Sequence, residues 1–242
     1  LDFNKREEKT NLREMWKVVS KNDQMIWLAT SVIIFYVAYL SIAGAAIYYM
    51  KYIFGNEDLY PILAIIVGAA QLLAFLLYNP ISKKFERSKI FLAATIMAVA
   101  GCILLFFAES SLILVLLGAA GIYAGQAFLQ ILMMVFLADT VEYGQDKIGR
   151  RNEAITTAIN PVVNKMGGAL STGVISITLL ASGIKTGDVA ATSIDPTGQL
   201  IFKLIIIGGS LVCIIVSYLI FRKKYIIDAK KHDELLEHLH YK

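Results

Sequence analysis

Long apolar runs alternate with short charged segments along the whole chain. A bilayer core is crossed by about 20 consecutive apolar residues. Six stretches have that character: 26–50, 60–78, 90–108, 111–137, 154–182 and 199–221. Open sheet cannot cross lipid, because its edges would leave backbone groups unpaired, so runs this long predict helices. The pattern therefore predicts an all-α integral membrane protein, a six-helix transmembrane bundle spanning 26–221. Residues 1–25 form a polar lead-in, and 222–242 form a polar tail.

Composition agrees with the pattern. Hydrophobic residues make up 57% of the chain and charged residues 17%, against roughly 45–50% apolar in a soluble domain. The charges sit in the connections, so the net charge of +4 sets topology and is no footprint for nucleic acid. Lys and Arg gather on alternate connections. Arg13, Lys17 and Lys21 precede the first span, and Lys83, Lys84, Arg87 and Lys89 follow the second. Lys147, Arg150 and Arg151 follow the fourth, and Arg222, Lys223 and Lys224 follow the sixth. Lys51, Lys185 and Lys203 are the only ones on the other side. The positive-inside rule then makes both ends of the segment cytoplasmic, in a multi-pass protein of the cell membrane. Cys102 and Cys213 each lie inside an apolar run and read as packing residues. Leu1 opens a polar stretch with no apolar signal region, so it reads as a point within a longer chain.

The fifth predicted span is the polar one. Thr157, Asn160, Asn164 and Ser171 recur at helical spacing and form one stripe, completed by Gly167 and Gly168. Pro161 removes a helix hydrogen bond and frees the carbonyl of Thr157, which favours a kink. Lys165 sits roughly 15 Å along the helix, near the membrane midplane. A lipid-facing lysine there costs about 2.5–3.5 kcal/mol on insertion scales. It is therefore expected to line a hydrated cavity and meet an anion. No carboxylate falls inside a predicted span: Glu57, Asp58, Asp188 and Asp195 lie in loops, Glu109 in a turn, and Asp139 and Glu142 at the basic end. The counter-charge is expected from a second polypeptide, a second half or a solute. That points to one half of a transporter built from paired repeats. Tyr36 and Tyr39 lie deep in the first span and are candidates for ligand contact.

The fourth connection, "LADTVEYGQDKIGRRNEAI", mixes signs. Asp139 and Glu142 share one face at i, i+3, while Arg150, Arg151 and Glu153 lead into the fifth span. Such pairs either stay solvated or latch a rocking domain in one state. The basic turn "NPISKKFERSK" is similar, open between such a latch and a purely topogenic role.

Four stretches, "NDQMIWLA", "AIYYMKYIFGNEDL", "LADTVEYGQDKIGRRNEAI" and "VVNKMGGALSTG", together resemble the glycoside-pentoside-hexuronide:cation symporters. This group of the major facilitator superfamily includes melibiose permease and Gram-positive lactose permeases. The resemblance covers essentially the whole chain and implies the C-terminal half of a twelve-helix protein. It implies a sugar and a coupling ion, Na⁺ or H⁺, bound between two six-helix bundles, with the acidic ion ligands in the N-terminal half. It aligns a lysine near the cation site with Lys165, and loop charges with Asp139, Glu142, Arg150, Arg151 and Glu153. Two positions depart from the melibiose permease pattern. Gln130 replaces a tryptophan near the site, and Asn160-Pro161 replaces a Gln-Thr pair. The "EYGQ…RNEA" wording is closer to the lactose-permease branch, which favours a galactoside.

The expected function is solute movement without covalent change. No cofactor or metal site is expected; His232, His238 and His240 read as part of a solvated amphipathic tail helix. The partners are the N-terminal half, the sugar and the bilayer, and not nucleic acid. Two alternatives stand: a self-assembling half-transporter or pore, disfavoured because two Lys165 ammoniums would repel at the interface, and a non-functional fragment. A membrane enzyme fits worst, since no His or Cys-His cluster or H-E-x-x-H occurs in or near a span.

Overall fold

A computed structural model of the chain describes residues 20–108, 111–149, 153–184 and 194–240. The described residues are helical, without strands. The helices are α1 (Asp23–Tyr48), α2 (Tyr60–Ser82), α3 (Arg87–Phe107), α4 (Leu112–Ile148), α5 (Glu153–Ala181), α6 (Pro196–Phe202), α7 (Gly209–Lys224) and α8 (Ala229–His240). Asn22 opens α1 by accepting from the Met25 N–H, the usual way to satisfy an orphan amide at a helix start.

Five helical segments are long and apolar enough to cross a membrane among the described residues. They correspond to the predicted spans other than the fifth. That fifth helix, α5, has 29 residues, about 43 Å at 1.5 Å per residue, which is ample length. It runs unbroken across Pro161.

Two features differ from the hydropathy reading. The first and last spans are not single regular helices. α1 continues as a π-helical turn, Tyr49–Phe54, and a second π turn, Lys203–Gly208, joins α6 to α7. The fourth span does not end near Leu137 either. α4 runs 37 residues to Ile148 and stops where Gly149 turns left-handed at φ 76°. Hydropathy marks where the apolar face ends, and the helix simply continues beyond it. Asp139 and Glu142 thus sit on the helix, consistent with their i, i+3 spacing.

α1 and α4 form the centre. α1 packs on α5 and α7, α4 packs on α2 and α3, and α3 closes against α7. The α3–α4 seam is held by close backbone approach. A Cβ added at Gly101 would lie 2.5 Å from the Gly118 carbonyl oxygen, so only glycine fits there. The α1–α7 seam is held by serines. Ser31 and Ser217 each donate to the other's carbonyl, at 2.9 and 2.8 Å, and Ser210 donates to the Ala38 carbonyl at 3.1 Å. In lipid such bonds replace the hydrophobic drive that helix pairing lacks. α2 stays largely uncovered, with Ile65, Leu72, Leu73 and Leu76 exposed.

Candidate functional site

The interior polar groups form a chain across three helices. Gln71 on α2 donates from its Nε2 to the Tyr39 hydroxyl on α1 (3.3 Å) and to Gln126 Oε1 on α4 (3.0 Å). Gln126 donates from its own Nε2 to Gln130 Oε1 at 3.0 Å. The Tyr39 ring meets Tyr123 edge-on at 5.3 Å. Gln126 is 3% exposed, whereas Gln130 is exposed. The chain therefore runs from the half-buried Gln71 and Tyr39 through the buried Gln126 to the surface.

Two cavities are lined by its members. One, of about 310 Å³, is lined by Tyr49, Tyr60, Gln71 and Tyr123 together with apolar residues of α1, α2 and α4. The other, of about 20 Å³, is lined by Tyr36, Gln126, Gln130 and Met133. That smaller space holds about one water. Gln71 lines the first cavity and Gln126 the second, so their hydrogen bond links the two linings.

α5 joins this face from the side. Asn160 donates to Met134 Sδ at 3.0 Å, and Met134 lies one turn beyond Gln130 on α4. Asn164 donates to Asn160 Oδ1 at 2.9 Å and to the Asn160 carbonyl at 3.1 Å. Gly167 follows on the same stripe. A Cβ there would lie 2.6 Å from Tyr36 Cβ, so the stripe is also the face that seats α5 on α1. Ser171, 4% exposed, continues that seam.

Lys165 lies about 100° round the helix from Asn164. It is exposed, lines neither cavity, and makes no hydrogen bond or ion pair with the described residues. The exposed arc of α5 divides in two when residues are placed about 100° apart. Pro161, Lys165, Ala169, Thr172 and Ser176 occupy one flank, and Val162, Met166, Leu170, Ile177 and Leu180 the other. The apolar flank suits acyl chains. The flank carrying Lys165 suits water or another protein surface.

The charged residues gather at the basic end. Asp139, 4% exposed, takes two hydrogen bonds from Arg87 Nη1 at 3.1 and 2.9 Å. The Tyr225 hydroxyl donates to it at 3.5 Å. Burial, and secondarily the Asp139 charge, push the Tyr225 phenol above its ordinary range. His232 on α8 sits 3.4 Å from Asp139 Oδ1 and 2.6 Å from Glu142 Oε2. The latter contact is close but not aligned as a hydrogen bond, since that buried oxygen lacks a geometric donor. Lys147 pairs with Asp23 at the start of α1, and Gln24 accepts from the Ile226 N–H at 2.9 Å. His238 meets Asp146 at 2.7 Å.

The basic turn, open between a latch and a purely topogenic role, supplies Arg87 to Asp139. One expectation is corrected: the tail is not a solvated amphipathic helix, because α8 docks along α4, with His232 and His238 paired to its carboxylates and Leu235 buried. Arg150 and Arg151 lie outside the described residues, as do the side chains of Glu153 and Thr157. Of the residues singled out from the sequence, Tyr36, Tyr39, Gln130, Asn160 and Asn164 lie along this face; Gln71, Gln126 and Tyr123, which the pattern did not single out, lie beside them. A lone glutamine in an apolar run was the available signal.

The comparisons with known proteins agree with this architecture. Over 232 residues the chain is 34% identical to a lactose permease of Lactobacillus delbrueckii subsp. bulgaricus, covering 96% of this chain and 37% of that protein. It is 33% identical over 239 residues to the raffinose carrier protein of Pediococcus pentosaceus, covering 98% and 37%. A lactose permease of Lactobacillus helveticus is 28% identical over 235 residues, covering 96% and 36%. The chain thus spans a little over a third of the length of these relatives. Residues 2–229 match the model described as MFS/sugar transport protein. With that match over nearly all its helices, the chain belongs to the MFS/sugar transport protein family.

Proposed function

We propose that this chain is the C-terminal six-helix bundle of a cation-coupled sugar symporter working by alternating access, with a galactoside as substrate. One observation carries the proposal. The bundle leaves an uncharged hydrogen-bonding face open, formed by Gln130, Asn160 and Asn164 and backed by Tyr39, Gln71 and Gln126. Neutral amides and phenols fit the mixed donors and acceptors of a sugar without binding a competing ion. The names of the relatives, permeases for lactose and a carrier for raffinose, support the same substrate class.

In this reading the N-terminal bundle of the same transporter covers the open face. It supplies the carboxylates that hold Na⁺ or H⁺, and Lys165 meets one of them. A cation binding near that carboxylate competes with the lysine for it, which couples the ion to the state of the cavity. The basic end is cytoplasmic, in the cell membrane. There the Arg87–Asp139 pair and its neighbours form the closure that holds one state of the rocking bundles.

The test is Lys165→Ala in the complete transporter, measured as galactoside accumulation driven by an imposed Na⁺ or H⁺ gradient. Gradient-driven accumulation is expected to fall at least tenfold while sugar exchange persists, a difference of about 1.4 kcal/mol in coupling. Accumulation equal to wild type removes Lys165 from the mechanism. Loss of exchange together with accumulation assigns the residue to folding.

A further inference from the structure

We propose that Gln126 and Gln71 are positioning residues that fix which end of the Gln130 amide faces the sugar. The inference rests on the reading of Gln130 as a sugar contact. An amide side chain offers two donors on one side and an acceptor on the other. A free glutamine presents either, so it discriminates poorly. Here the chain ties the choice at Gln130 to the amides behind it. Gln71 Nε2 donates to both the Tyr39 hydroxyl and Gln126 Oε1, so the Gln126 amide is set with its oxygen toward α2. Its nitrogen then faces along α4 and donates to Gln130 Oε1. With that oxygen used, the Gln130 NH₂ is the group left at the exposed end.

Gln126 cannot itself touch a solute, because it is 3% exposed and its amide oxygen and nitrogen are both engaged. Its contribution passes through its neighbour. The site therefore presents two amide hydrogens at Gln130 and selects a sugar oxygen that accepts. An amide held at both ends also loses less rotamer freedom when the sugar binds. The Tyr39 hydroxyl, which accepts from Gln71, keeps its own hydrogen for donation.

The experiment is a double-mutant cycle in the intact transporter, with competition by deoxy and fluorodeoxy sugars against labelled galactoside uptake. Fluorine accepts a hydrogen bond weakly and cannot donate one. In wild type, the fluorodeoxy sugar at the position served by Gln130 competes several-fold better than the deoxy sugar. Gln126→Met raises KM about threefold to tenfold, the worth of one hydrogen bond, and erases the fluorine advantage. On a Gln130→Ala background the same change adds nothing further to KM. Additive effects, or an undiminished fluorine advantage in Gln126→Met, overturn the relay. Absence of any fluorine advantage in wild type overturns it too. An unchanged KM in Gln130→Ala refutes the underlying sugar contact instead. If Gln126→Met fails to insert, Gln71→Met takes its place with the same expected non-additivity.

Discussion

The two ends of α4's polar surface behave in opposite ways. Near the basic end, Asp139 is buried and engaged by Arg87, His232 and Tyr225. Halfway along the bundle, Gln130 reaches the surface with its amide nitrogen open, and Lys165 on the adjoining helix finds no partner among the described residues. Lys203 sharpens the contrast. It too sits in a transmembrane segment, yet it lies 3.4 Å from the Phe106 carbonyl and over that residue's ring at 5.7 Å. Charge satisfied within the chain builds the bundle. Polar groups left open on an otherwise packed surface mark where something else must fit.

The contrast predicts that stability and transport will separate by region. The largest loss of stability is expected from Arg87→Ala, which strands the Asp139 carboxylate. The arginine side chain is 45% exposed and the aspartate 6%, so the cost is about 2–3 kcal/mol, below that of a fully buried pair. Thermal unfolding in detergent measures it, and an unshifted midpoint would erase the distinction between the two regions. His232→Ala should cost less, about 1 kcal/mol or below. Its signature is faster amide exchange confined to α8 and the end of α4. Gln130→Ala should move stability by no more than about 0.5 kcal/mol, because its surface position leaves no cavity. Its effect belongs in KM for the sugar. Lys165→Gln should change stability least, since no described partner is lost, and should act on ion coupling alone. A destabilised Lys165→Gln protein would mean that the lysine holds the bundle together.

Much of this was legible before any coordinates. Five of the six apolar runs correspond to helices long and apolar enough to cross a membrane, and the Lys and Arg bias groups the connections that the structure brings together at one end. Helical spacing put Asn160 and Asn164 on one stripe, and they do share a hydrogen bond. What was not legible depended on distance along the chain. Arg87 and Asp139 are 52 residues apart, and nothing local distinguishes a topogenic arginine from a paired one. Gln71 and Gln126 are 55 apart, and each alone is one tolerated amide in an apolar run. The continuation of α4 to Ile148 was hidden because hydropathy reports lipid, not helix. The π turns at Tyr49 and Lys203 break no apolar pattern and so left no trace. The Asn160–Ser171 stripe was legible only as a face. Helical spacing identifies a face but not its neighbour, and that face both reaches Met134 on α4 and packs on α1.

The central claim is that position 165 faces a watered, substrate-bearing space and not lipid. It is tested most directly by Lys165→Cys in the complete transporter, with Cys102 and Cys213 replaced by alanine. The account predicts that a charged, membrane-impermeant thiol reagent labels this cysteine and that saturating galactoside slows the labelling severalfold. A cysteine inert to the charged reagent but reactive to a lipid-soluble one would contradict it.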